Sequence, residues 1–593
     1  MFINEEPETR LNGDYASKIG SSSVCKTPAE STSTAWHPDS NEIDYARPMK
    51  VIVIGAGISG ILAAIRFPRR IPNLDLVVYD KNPEVGGTWY ENKYPGVACD
   101  IPAHVYQASF EPNPNWSKFY ASGQEILDYW KGIVAKYGVQ QYLKLSHKVI
   151  EARFHDTTAK WHVKVENQLT GEVIQDTCDV LYGCMGSLND WHWPDIPGLH
   201  SFQGKLLHSA AWDQAWDPTG QSVAVIGSGS SAIQIVPALQ PKAKHLENYV
   251  RGQVWIAPPI AEAEVRKRTA TESNFSFSPE ELREFQEQPD RLLAYRKKLD
   301  SEIQSMTKVT LRGSLSEEAA AHFTQSMTAK LAKKPQILQK ILPSFAPGCR
   351  RITPGPGYLE ALTEDNVSFV SEAIASVTKD GIVTADGALH KVDAIVCATG
   401  FDTSFTGRFP IYGAGGLDLD AKWRDYPDTY MGLCTPGMPN YFVAHGPNAG
   451  LGVGSVSIVL ERTCDYVCAT VAKMQRDRIA TVQPRQTARD AFVAYCKDYF
   501  SRTVFSLPCR SWYKRGTLDG PVTALWPGSA LHFVKALEKP RWEDYDYTYL
   551  DGNGNSVAWL GNGFTMCERD TESDKSTYLD PANIDYPSLA VST

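Results

Sequence analysis

VIVIGAGISGILAAI, residues 51–65, joins a run of β-branched residues to an apolar helical face through three glycines. Gly55, Gly57 and Gly60 have the spacing GxGxxG, which permits a tight turn, close approach of the backbone to a pyrophosphate and close packing of helix on strand. The amino terminus of the following helix offers unpaired N–H groups and a partial positive charge to phosphates. The stretch therefore predicts a Rossmann-type dinucleotide site.

A carboxylate at the end of the next predicted strand supports this prediction. Residues 76–79 read LVVY and are followed by Asp80, twenty residues after Gly60. A carboxylate at this position can accept hydrogen bonds from both hydroxyls of a nucleotide ribose. Strand, turn, helix and acid together favour a nucleotide site over a glycine turn with an incidental acid.

The run SVAVI, residues 222–226, leads into a second glycine turn with the spacing GxGxxA. The turn residues that we expect to bind a second dinucleotide are Gly227, Gly229, Ser230, Ser231 and Ala232. The next predicted strand ends near Arg251, so a cation takes the place of the carboxylate. Because arginine suits a 2′-phosphate, this site favours NADPH over NADH. The alternative is that Arg251 is a solvated residue at the edge of the sheet.

The bulk composition is that of a multidomain globular protein whose ligands are small molecules. The chain has 593 residues, of which 42% are hydrophobic, and a formal net charge of -9. A chain of this length is expected to form two or more domains. The negative charge disfavours nucleic acids and anionic membranes as partners. The apolar stretch 51–65 is too short to span a bilayer and the acidic amino terminus is unlike a secretory signal, so we predict a cytoplasmic protein.

The twelve cysteines are scattered without a CxxC pair or a Cys/His cluster. This pattern predicts reduced, mostly packed thiols and no metal site. Cys464 and Cys468 are four residues apart and would share one face of a helix. For these two, buried small residues are favoured over a metal or redox role.

Residues 261–345 differ in pattern from the α/β units on either side. Charged and apolar residues recur there at helical spacing before strand character returns. Ser278 and Glu281 have the spacing of a capping box, and Ser314 and Glu317 repeat it. We therefore predict a helical insertion that interrupts a sheet domain.

Two longer segments carry a resemblance to a known family. They read GGTWYENKYPGVACD, residues 86–100, and FQGKLLHSAAWD, residues 202–213. The second fits the fingerprint FxGxxxHxxxW(P/D), and ATGFD follows at residues 398–402. With both glycine turns in the same order, the chain resembles the type I Baeyer–Villiger monooxygenases, which are class B flavoprotein monooxygenases, and among them the fungal type.

The resemblance implies FAD and NADPH as cofactors, and a small-molecule ketone and O2 as the other reactants. In this family NADPH reduces the flavin, dioxygen adds to it, and the oxygen adduct attacks a ketone to give an ester or a lactone. Such a transfer needs a cation beside the reacting oxygen and exclusion of water. The long amino-terminal tail and varied carboxyl-terminal loops fit a pocket for bulky or polycyclic ketones.

The catalytic residues that the resemblance implies are Arg351 and Asp100. Arg351 lies in GCRRITPGPGYLEAL, residues 348–362, and matches the active-site arginine of the family, while Asp100 matches the carboxylate that orients it. The alternative for Arg351 is a structural ion pair. By the same resemblance, Arg350 matches the position that contacts the 2′-phosphate. Trp512 matches a tryptophan that contacts the nicotinamide nucleotide. His208 matches a residue of the linker between the domains, which has a conformational role.

Contacts to the flavin nucleotide are implied as well. Trp89 either packs against the isoalloxazine or is a core aromatic residue. The loop from His445 to Gly450 is expected to open a helix whose amino terminus faces the flavin. Beyond the first glycine turn and Asp80, the residues expected to contact this cofactor are Gly87, Thr88, Trp89, Asp100, Tyr106 and Asn448.

The sequence thus predicts an α/β fold of two Rossmann-like dinucleotide-binding domains with a helical insertion. The predicted segments are a tail at 1–47, an FAD-binding domain at 48–190 and 396–568, an NADP-binding domain at 191–260 and 346–395, the insertion at 261–345, and a tail at 569–593.

Two other functions stay open on the sequence. The first is an N- or S-oxygenating flavin monooxygenase, although these enzymes usually carry a different ending in place of Trp212 and Asp213. The second is a catalytically inactive nucleotide-binding protein, which the presence of Asp100 and Arg351 disfavours.

Overall fold

The computed structural model describes residues 41–269, 273–551 and 555–584. Residues 1–40 of the predicted amino-terminal tail and 585–593 of the predicted carboxyl-terminal tail lie outside the described residues. The strands are β1 Met49–Ile54, β2 Leu74–Tyr79, β3 Leu143–Lys144, β4 His147–His155, β5 Lys160–Asn167, β6 Val173–Cys178, β7 Val180–Gly183, β8 Lys205–His208, β9 Ser222–Ile226, β10 His245–Tyr249, β11 Val367–Val370, β12 Ile374–Thr378, β13 Gly381–Thr384, β14 Leu389–Lys391, β15 Ala394–Cys397, β16 Ile411–Tyr412, β17 Tyr441–Val443, β18 Ile479–Pro484 and β19 Tyr545–Tyr549. The α-helices are α1 Ile58–Arg70, α2 Thr88–Glu91, α3 Gly123–Lys136, α4 Ala232–Leu239, α5 Glu262–Arg266, α6 Pro279–Glu287, α7 Pro289–Ser305, α8 Ser314–Lys330, α9 Pro335–Ile341, α10 Tyr358–Leu362, α11 Leu419–Trp423, α12 Val456–Arg476, α13 Gln486–Ser501 and α14 Ala530–Ala536.

The first sheet is parallel and has the order β17-β7-β1-β2-β3. Its central strand β1 is buried almost throughout, because its alternate residues pack with helices α1 and α12 on one face and with the antiparallel strands β4 and β5 on the other. Ile54, the last residue of β1, pairs with Tyr79 of β2 and Gly183 of β7. The carboxyl ends of these strands therefore meet at one edge, which is where ligands bind in open α/β sheets.

The second sheet is also parallel and has the order β11-β10-β9-β15-β8. Strands β8 to β10 precede the predicted insertion, while β11 and β15 follow it. Since β15 lies between β9 and β8, the second sheet is complete only when both chain segments are present. The predicted α/β fold class, with two dinucleotide-binding sheets and a helical insertion, is confirmed.

Smaller sheets flank these two. Strands β4, β5 and β6 form an antiparallel sheet, and β16 adds to it by pairing with β4. Strands β12 to β14 form a three-stranded antiparallel sheet. Strand β18 pairs with β19.

The helical insertion divides its apolar residues between two cores. Phe277, Phe285 and Leu299, on or beside α6 and α7, pack in the core that contains β1 and α1. Phe323 and Met327 of α8 pack instead in the core that contains β9 and α4. The insertion therefore connects the two sheet domains.

The helix starts in this region match the sequence in one place and differ in another. The capping box of Ser278 and Glu281 is present at α6, as predicted. The box predicted for Ser314 and Glu317 is wrong, because Gly313 occupies the N-cap of α8 and Ser314 is already helical. The Glu317 N–H donates to the Gly313 carbonyl oxygen, so the serine side chain is one residue too late to cap it.

The prediction that all cysteines are reduced is wrong for one pair. Cys349 and Cys509 are buried and joined by a disulfide across 160 residues of sequence. Spacing gives no signal for such a pair, because packing alone brings the two segments together. Cys464 and Cys468 are buried on α12, as predicted.

The described residues contain neither a helix that could cross a membrane nor a cluster of metal-binding side chains. Within 41–269, 273–551 and 555–584, no helix combines the length and apolarity that crossing a bilayer requires. The same residues contain no group of three or more His, Cys, Asp or Glu side chains arranged to hold a metal ion.

Candidate active site

The first glycine turn, residues 55–60, is closed by backbone contacts that leave no room for a side chain at Gly55 or Gly60. Gly55 has a φ of 110°, and a Cβ there would lie 2.5 Å from the Cys184 carbonyl oxygen. A Cβ on Gly60 would collide with the Gly55 carbonyl. Gly57 faces Gly87, which has a φ of 53°, and a Cβ on Gly87 would lie 2.9 Å from Gly57 Cα. These glycines form a narrow backbone cradle that suits a pyrophosphate.

Asp80 lies at the end of β2 beside this cradle and is 7% exposed. One carboxylate oxygen accepts from Ala56 N at 2.6 Å and the other from Asn82 N at 2.7 Å. Burial raises the pKa of the carboxyl, and these two backbone donors act against that rise. The chain thus holds the Asp80 carboxylate at the edge where a nucleotide ribose would bind.

A cavity runs along this edge of the first sheet and encloses about 1540 Å³ of empty space, its open mouth included. The predicted cofactor residues that line it are Gly55, Gly57, Asp80, Gly87, Thr88, Trp89 and Tyr106. Trp89 is buried, and its ring meets that of Tyr106 edge to face at 5.6 Å. Trp89 is therefore both a packed aromatic residue and a wall of the cavity. The dimensions and the glycine cradle fit an extended dinucleotide such as FAD.

Arg351 and Asp100 form the two-point ion pair that the resemblance implies. Arg351 Nε donates to one oxygen of Asp100 at 2.6 Å, and Nη2 donates to the other at 2.8 Å. The Arg351 side chain is 33% exposed and that of Asp100 is 22% exposed. The charge of Asp100 raises the pKa of Arg351, so the guanidinium is a permanent cation. Two parallel hydrogen bonds fix its plane as well as its position.

The surroundings of Arg351 include two residues, one partly and one fully buried, whose pKa values its charge affects. Burial, and next the positive charge of Arg351, lower the pKa of His445 to about 4. Burial raises the pKa of Tyr513 to about 12 against the opposing effect of Arg351. Since His445 lines the cavity, the cation lies near the cavity of the first sheet.

The second glycine turn, residues 227–232, is closed at its first glycine, as the first turn is, and open at its second. Gly227 has a φ of 132°, and a Cβ there would collide with the Ala398 carbonyl. Gly229 and Ser230 are exposed, and a Cβ on Gly229 would meet nothing within 4 Å. Ser231 is the N-cap of α4, which begins at Ala232. An exposed backbone at a helix amino terminus can hold phosphates.

The two arginines predicted for the 2′-phosphate lie near each other. Arg251 is exposed just after β10, and Arg350 Nη1 donates to the Gln253 carbonyl oxygen at 3.0 Å. Burial, and next the positive charge of Arg251, lower the pKa of Arg350. Each of these two positive charges disfavours the other. An anion bound between the two arginines would therefore be stabilised.

Trp512 and Asn448 are predicted cofactor residues that lie outside the lining of the large cavity. Trp512 is half-buried in a 3₁₀ turn, Trp512–Lys514, and packs on Tyr513 with ring centroids 4.6 Å apart. Asn448 is fully buried, and its Nδ2 donates to the carbonyl oxygens of Val522 and Leu525. It ties the loop after β17 to the carboxyl-terminal region.

The helix predicted to open in the loop from His445 to Gly450 begins only after the loop, and its first residue, Val456, lines the cavity. Helix α12 begins at Val456, with Ser455 as its N-cap. His445 and Asn448 have φ values of 57° and 59°, which interrupt a helix. The group that this loop presents to the cavity is the imidazole of His445.

His208 lies at the end of β8, away from the cavity lining. It is fully buried, stacks on Trp191 at 4.3 Å, and has Nε2 3.2 Å from Thr399 Oγ1. Burial lowers its pKa to about 4. This neutral, packed histidine joins the fingerprint to the ATGFD segment, and a conformational role stays a prediction.

Several polar residues line the cavity without having been predicted from the sequence as cofactor contacts, among them Asn82, His147, Ser187, Arg408 and His445. Most of them follow or flank strands of the first sheet. Their position after the carboxyl ends of parallel strands is the signal that would have found Ser187 and His445.

Comparisons with known proteins agree with this geometry. A family model described as an NAD(P)-binding Rossmann-like domain matches residues 53–122. FAD-binding monooxygenase tazF of Aspergillus terreus is 39% identical, over 94% of this chain and 99% of its own length. A Baeyer–Villiger monooxygenase of Pseudomonas aeruginosa is 33% identical, over 82% of this chain and 89% of its own length. The chain belongs to the Baeyer–Villiger flavin monooxygenase family. It is a flavin-dependent monooxygenase that uses FAD and NADPH.

Two solved structures resemble this member of the family throughout. Cyclohexanone monooxygenase from Rhodococcus sp. Phi1 bound to NADP+ superposes with a TM-score of 0.73 at 25% identity, covering 84% of this chain and 99% of that one. Oxidized steroid monooxygenase bound to NADP superposes with a TM-score of 0.71 at 25% identity and the same coverage.

Proposed function

We propose that this monooxygenase catalyses Baeyer–Villiger oxidation: a ketone, O2, NADPH and a proton give an ester or lactone, NADP+ and water. The observation that carries the proposal is the bidentate pair of Arg351 and Asp100 close to the cavity of the first sheet. The name of the Pseudomonas aeruginosa relative supports the same reaction.

Bound FAD would supply the activation of dioxygen, and NADPH would supply the two electrons. The protein must then stabilise negative charge on the reacting oxygen. At about 4 Å and an effective dielectric constant of about 20, a guanidinium stabilises an anion by about 4 kcal/mol. Asp100 holds Nε and Nη2 of Arg351, so we assign the donation to the reacting oxygen to Nη1.

The same proposal assigns the cofactor contacts. FAD is held by the cradle of Gly55, Gly57 and Gly87, with Asp80 on its ribose and Thr88, Trp89 and Tyr106 along the cavity wall. NADPH lies on the second turn, from Gly227 to Ala232, with its 2′-phosphate between Arg251 and Arg350 and its nicotinamide half near Trp512.

For the substrate we propose a bulky or polycyclic ketone. The structural likeness to a steroid monooxygenase supports this size class, and the comparable likeness to a cyclohexanone monooxygenase makes a small ketone the alternative that the experiment must test.

The experiment compares Arg351→Ala with Arg485→Ala, an exposed arginine paired with Asp546. Both purified enzymes receive NADPH, 18O2 and a panel of ketones graded in size, with an amine and a sulfide as alternative acceptors. We expect labelled ester from the native enzyme and R485A, and a loss of about three orders of magnitude in R351A with FAD content unchanged.

The outcomes separate the candidate functions. Oxygenated amine or sulfide without ester would show N- or S-oxygenation instead. NADPH consumption without any oxygenated organic product would contradict oxygen transfer to all three acceptors. Ester formation that survives in R351A would refute the role of the guanidinium.

A further inference from the structure

The loop after β17 presents to the cavity a histidine that the family fingerprints do not assign. From Met438 to Leu451 every residue except His445 is buried. His445 lines the same cavity as Gly57 and Gly87. His445 is thus the one partly exposed residue of this stretch, and it borders the space where we propose that FAD binds.

Ser187 fixes one nitrogen of this ring. Ser187 Oγ lies 3.0 Å from His445 Nδ1. Ser187 follows β7, which pairs with β17, so the two side chains come from adjacent strand ends. Among the described residues, Nε2 of His445 has no hydrogen-bond partner.

The ring is neutral at physiological pH, because burial and the charge of Arg351 lower its pKa to about 4. A neutral imidazole carries a hydrogen on one nitrogen and a lone pair on the other. When the Ser187 hydroxyl donates to Nδ1, the hydrogen of the ring is on Nε2. Nε2 is also the nitrogen that lacks a partner in the protein.

We propose that His445 donates a hydrogen bond from Nε2 to an acceptor of bound FAD, and that Ser187 holds the ring in this tautomer. Ser187, which holds the ring, follows β7 and lines the same cavity, so we place this contact at the carboxyl ends of β7 and β17. His445 is thus a cofactor-binding residue that positions the flavin near the guanidinium. The inference requires FAD binding and is independent of which acceptor the enzyme oxygenates.

The test compares two amide replacements of His445. The residue has a φ of 57°, a conformation that asparagine tolerates well. In His445→Asn the amide ends near the position of Nδ1 and does not reach that of Nε2. In His445→Gln the longer side chain returns an N–H donor to the Nε2 position. The matched control is His162→Asn, on β5 and outside the cavity lining.

The readouts are the Kd of the apoprotein for FAD and the visible spectrum of the bound flavin. We expect H445N to weaken FAD binding about tenfold and to shift the spectrum, H445Q to restore most of both, and H162N to change neither. Equal Kd values and spectra for H445N and the native protein would overturn the proposal. So would an equal loss in H445N and H445Q, because that result indicates packing alone.

Ser187→Ala and nitrogen-15 NMR test the tautomer separately. We expect S187A to weaken FAD binding in the same direction as H445N but by a smaller factor. In the holoenzyme labelled with nitrogen-15 histidine, the signal missing from H445N should show the hydrogen on Nε2. A hydrogen on Nδ1 would overturn the assignment. A failure to form esters would leave these readouts unchanged and would count against the proposed reaction alone.

Discussion

The two glycine turns share a spacing and differ in how the chain closes around them. The first, residues 55–60, packs against the Cys184 carbonyl and Gly87 and is followed by the buried acid Asp80. The second, residues 227–232, exposes Gly229 and Ser230 and has two arginines near its open side. A closed turn suits a cofactor that stays bound, and an open turn suits one that must enter and leave.

The difference shows that a glycine motif identifies a nucleotide site but does not indicate how readily the bound nucleotide enters and leaves it. GxGxxG and GxGxxA both place a helix amino terminus against phosphates. What distinguishes them is the neighbouring chain: Gly87 packs against Gly57 in the first turn, whereas a Cβ on the matching Gly229 of the second would meet nothing within 4 Å. We therefore compare a tightly packed glycine of the first turn, Gly60, with the exposed glycine of the second, Gly229, although Gly60 matches Ala232 in the spacing and Gly229 matches Gly57.

The largest effect is expected from Gly60→Ala compared with Gly229→Ala. A Cβ on Gly60 collides with the Gly55 backbone, so we expect a loss of about 3 kcal/mol of unfolding free energy and of bound FAD. A Cβ on Gly229 meets nothing within 4 Å, so stability should change by less than about 0.5 kcal/mol. Chemical denaturation and the flavin absorbance of the purified proteins measure both. Similar losses in the two variants would remove the distinction between the turns.

The next effect concerns the charge beside the open turn. Arg251→Ala removes one of the two cations proposed to bind the 2′-phosphate. We expect the KM for NADPH to rise about 10- to 100-fold, because a charge-assisted hydrogen bond contributes about 1.5 to 3 kcal/mol. The KM for NADH, which lacks that phosphate, serves as the internal control and should change little. Parallel rises for NADPH and NADH would point to a damaged fold instead of a lost phosphate contact.

The third prediction concerns the packing of the helical insertion against the domain that contains the first glycine turn. His104 is fully buried among Phe277, Phe285 and Tyr295, and neither ring nitrogen has a hydrogen-bond partner in the described structure. Burial, and next the charge of Arg296, lower its pKa to about 3. The folded protein therefore favours neutral His104, and stability is lost as the pH falls below the unfolded value of about 6.5.

At pH 5 this loss should reach about 2 kcal/mol relative to pH 7.5. His104→Leu cannot be protonated, so its unfolding free energy should fall less over the same interval. Denaturant titrations of both proteins at the two pH values measure the difference. Identical pH dependence in the native protein and H104L would show that the insertion packs without this constraint.

Local spacing was sufficient for the parts of the site that lie on short continuous segments. The glycine turns and Asp80 follow from strand, turn and helix geometry. The pair of Arg351 and Asp100, 251 residues apart, came from the resemblance, since no local pattern joins them. The contact of His445 with Ser187 and the disulfide between Cys349 and Cys509 depend on packing between distant segments.

Two wrong predictions of helix starts had a common physical cause. The false capping box at Ser314 arose because Gly313, one residue earlier, takes the N-cap position. The helix expected near Asn448 was displaced to Val456, because the loop is anchored to Val522 and Leu525. In both cases a tertiary or neighbouring constraint decided between conformations that the local sequence allows.

The smallest effect is expected at the acid of the closed turn. Asp80→Asn keeps the size of the side chain but replaces one oxygen, which accepts from Ala56 N or Asn82 N, with an NH2 group. It also removes the charge that we propose accepts from the ribose hydroxyls of FAD. We expect the Kd for FAD to rise about tenfold while the KM for NADPH stays unchanged, because the cavity walls and the glycine cradle still hold the cofactor. Titration of the apoprotein with FAD, and steady-state kinetics at saturating FAD, measure the two constants. A rise in the KM for NADPH as large as that in the Kd for FAD would mean that the two turns are coupled, and that the closed site does not act alone.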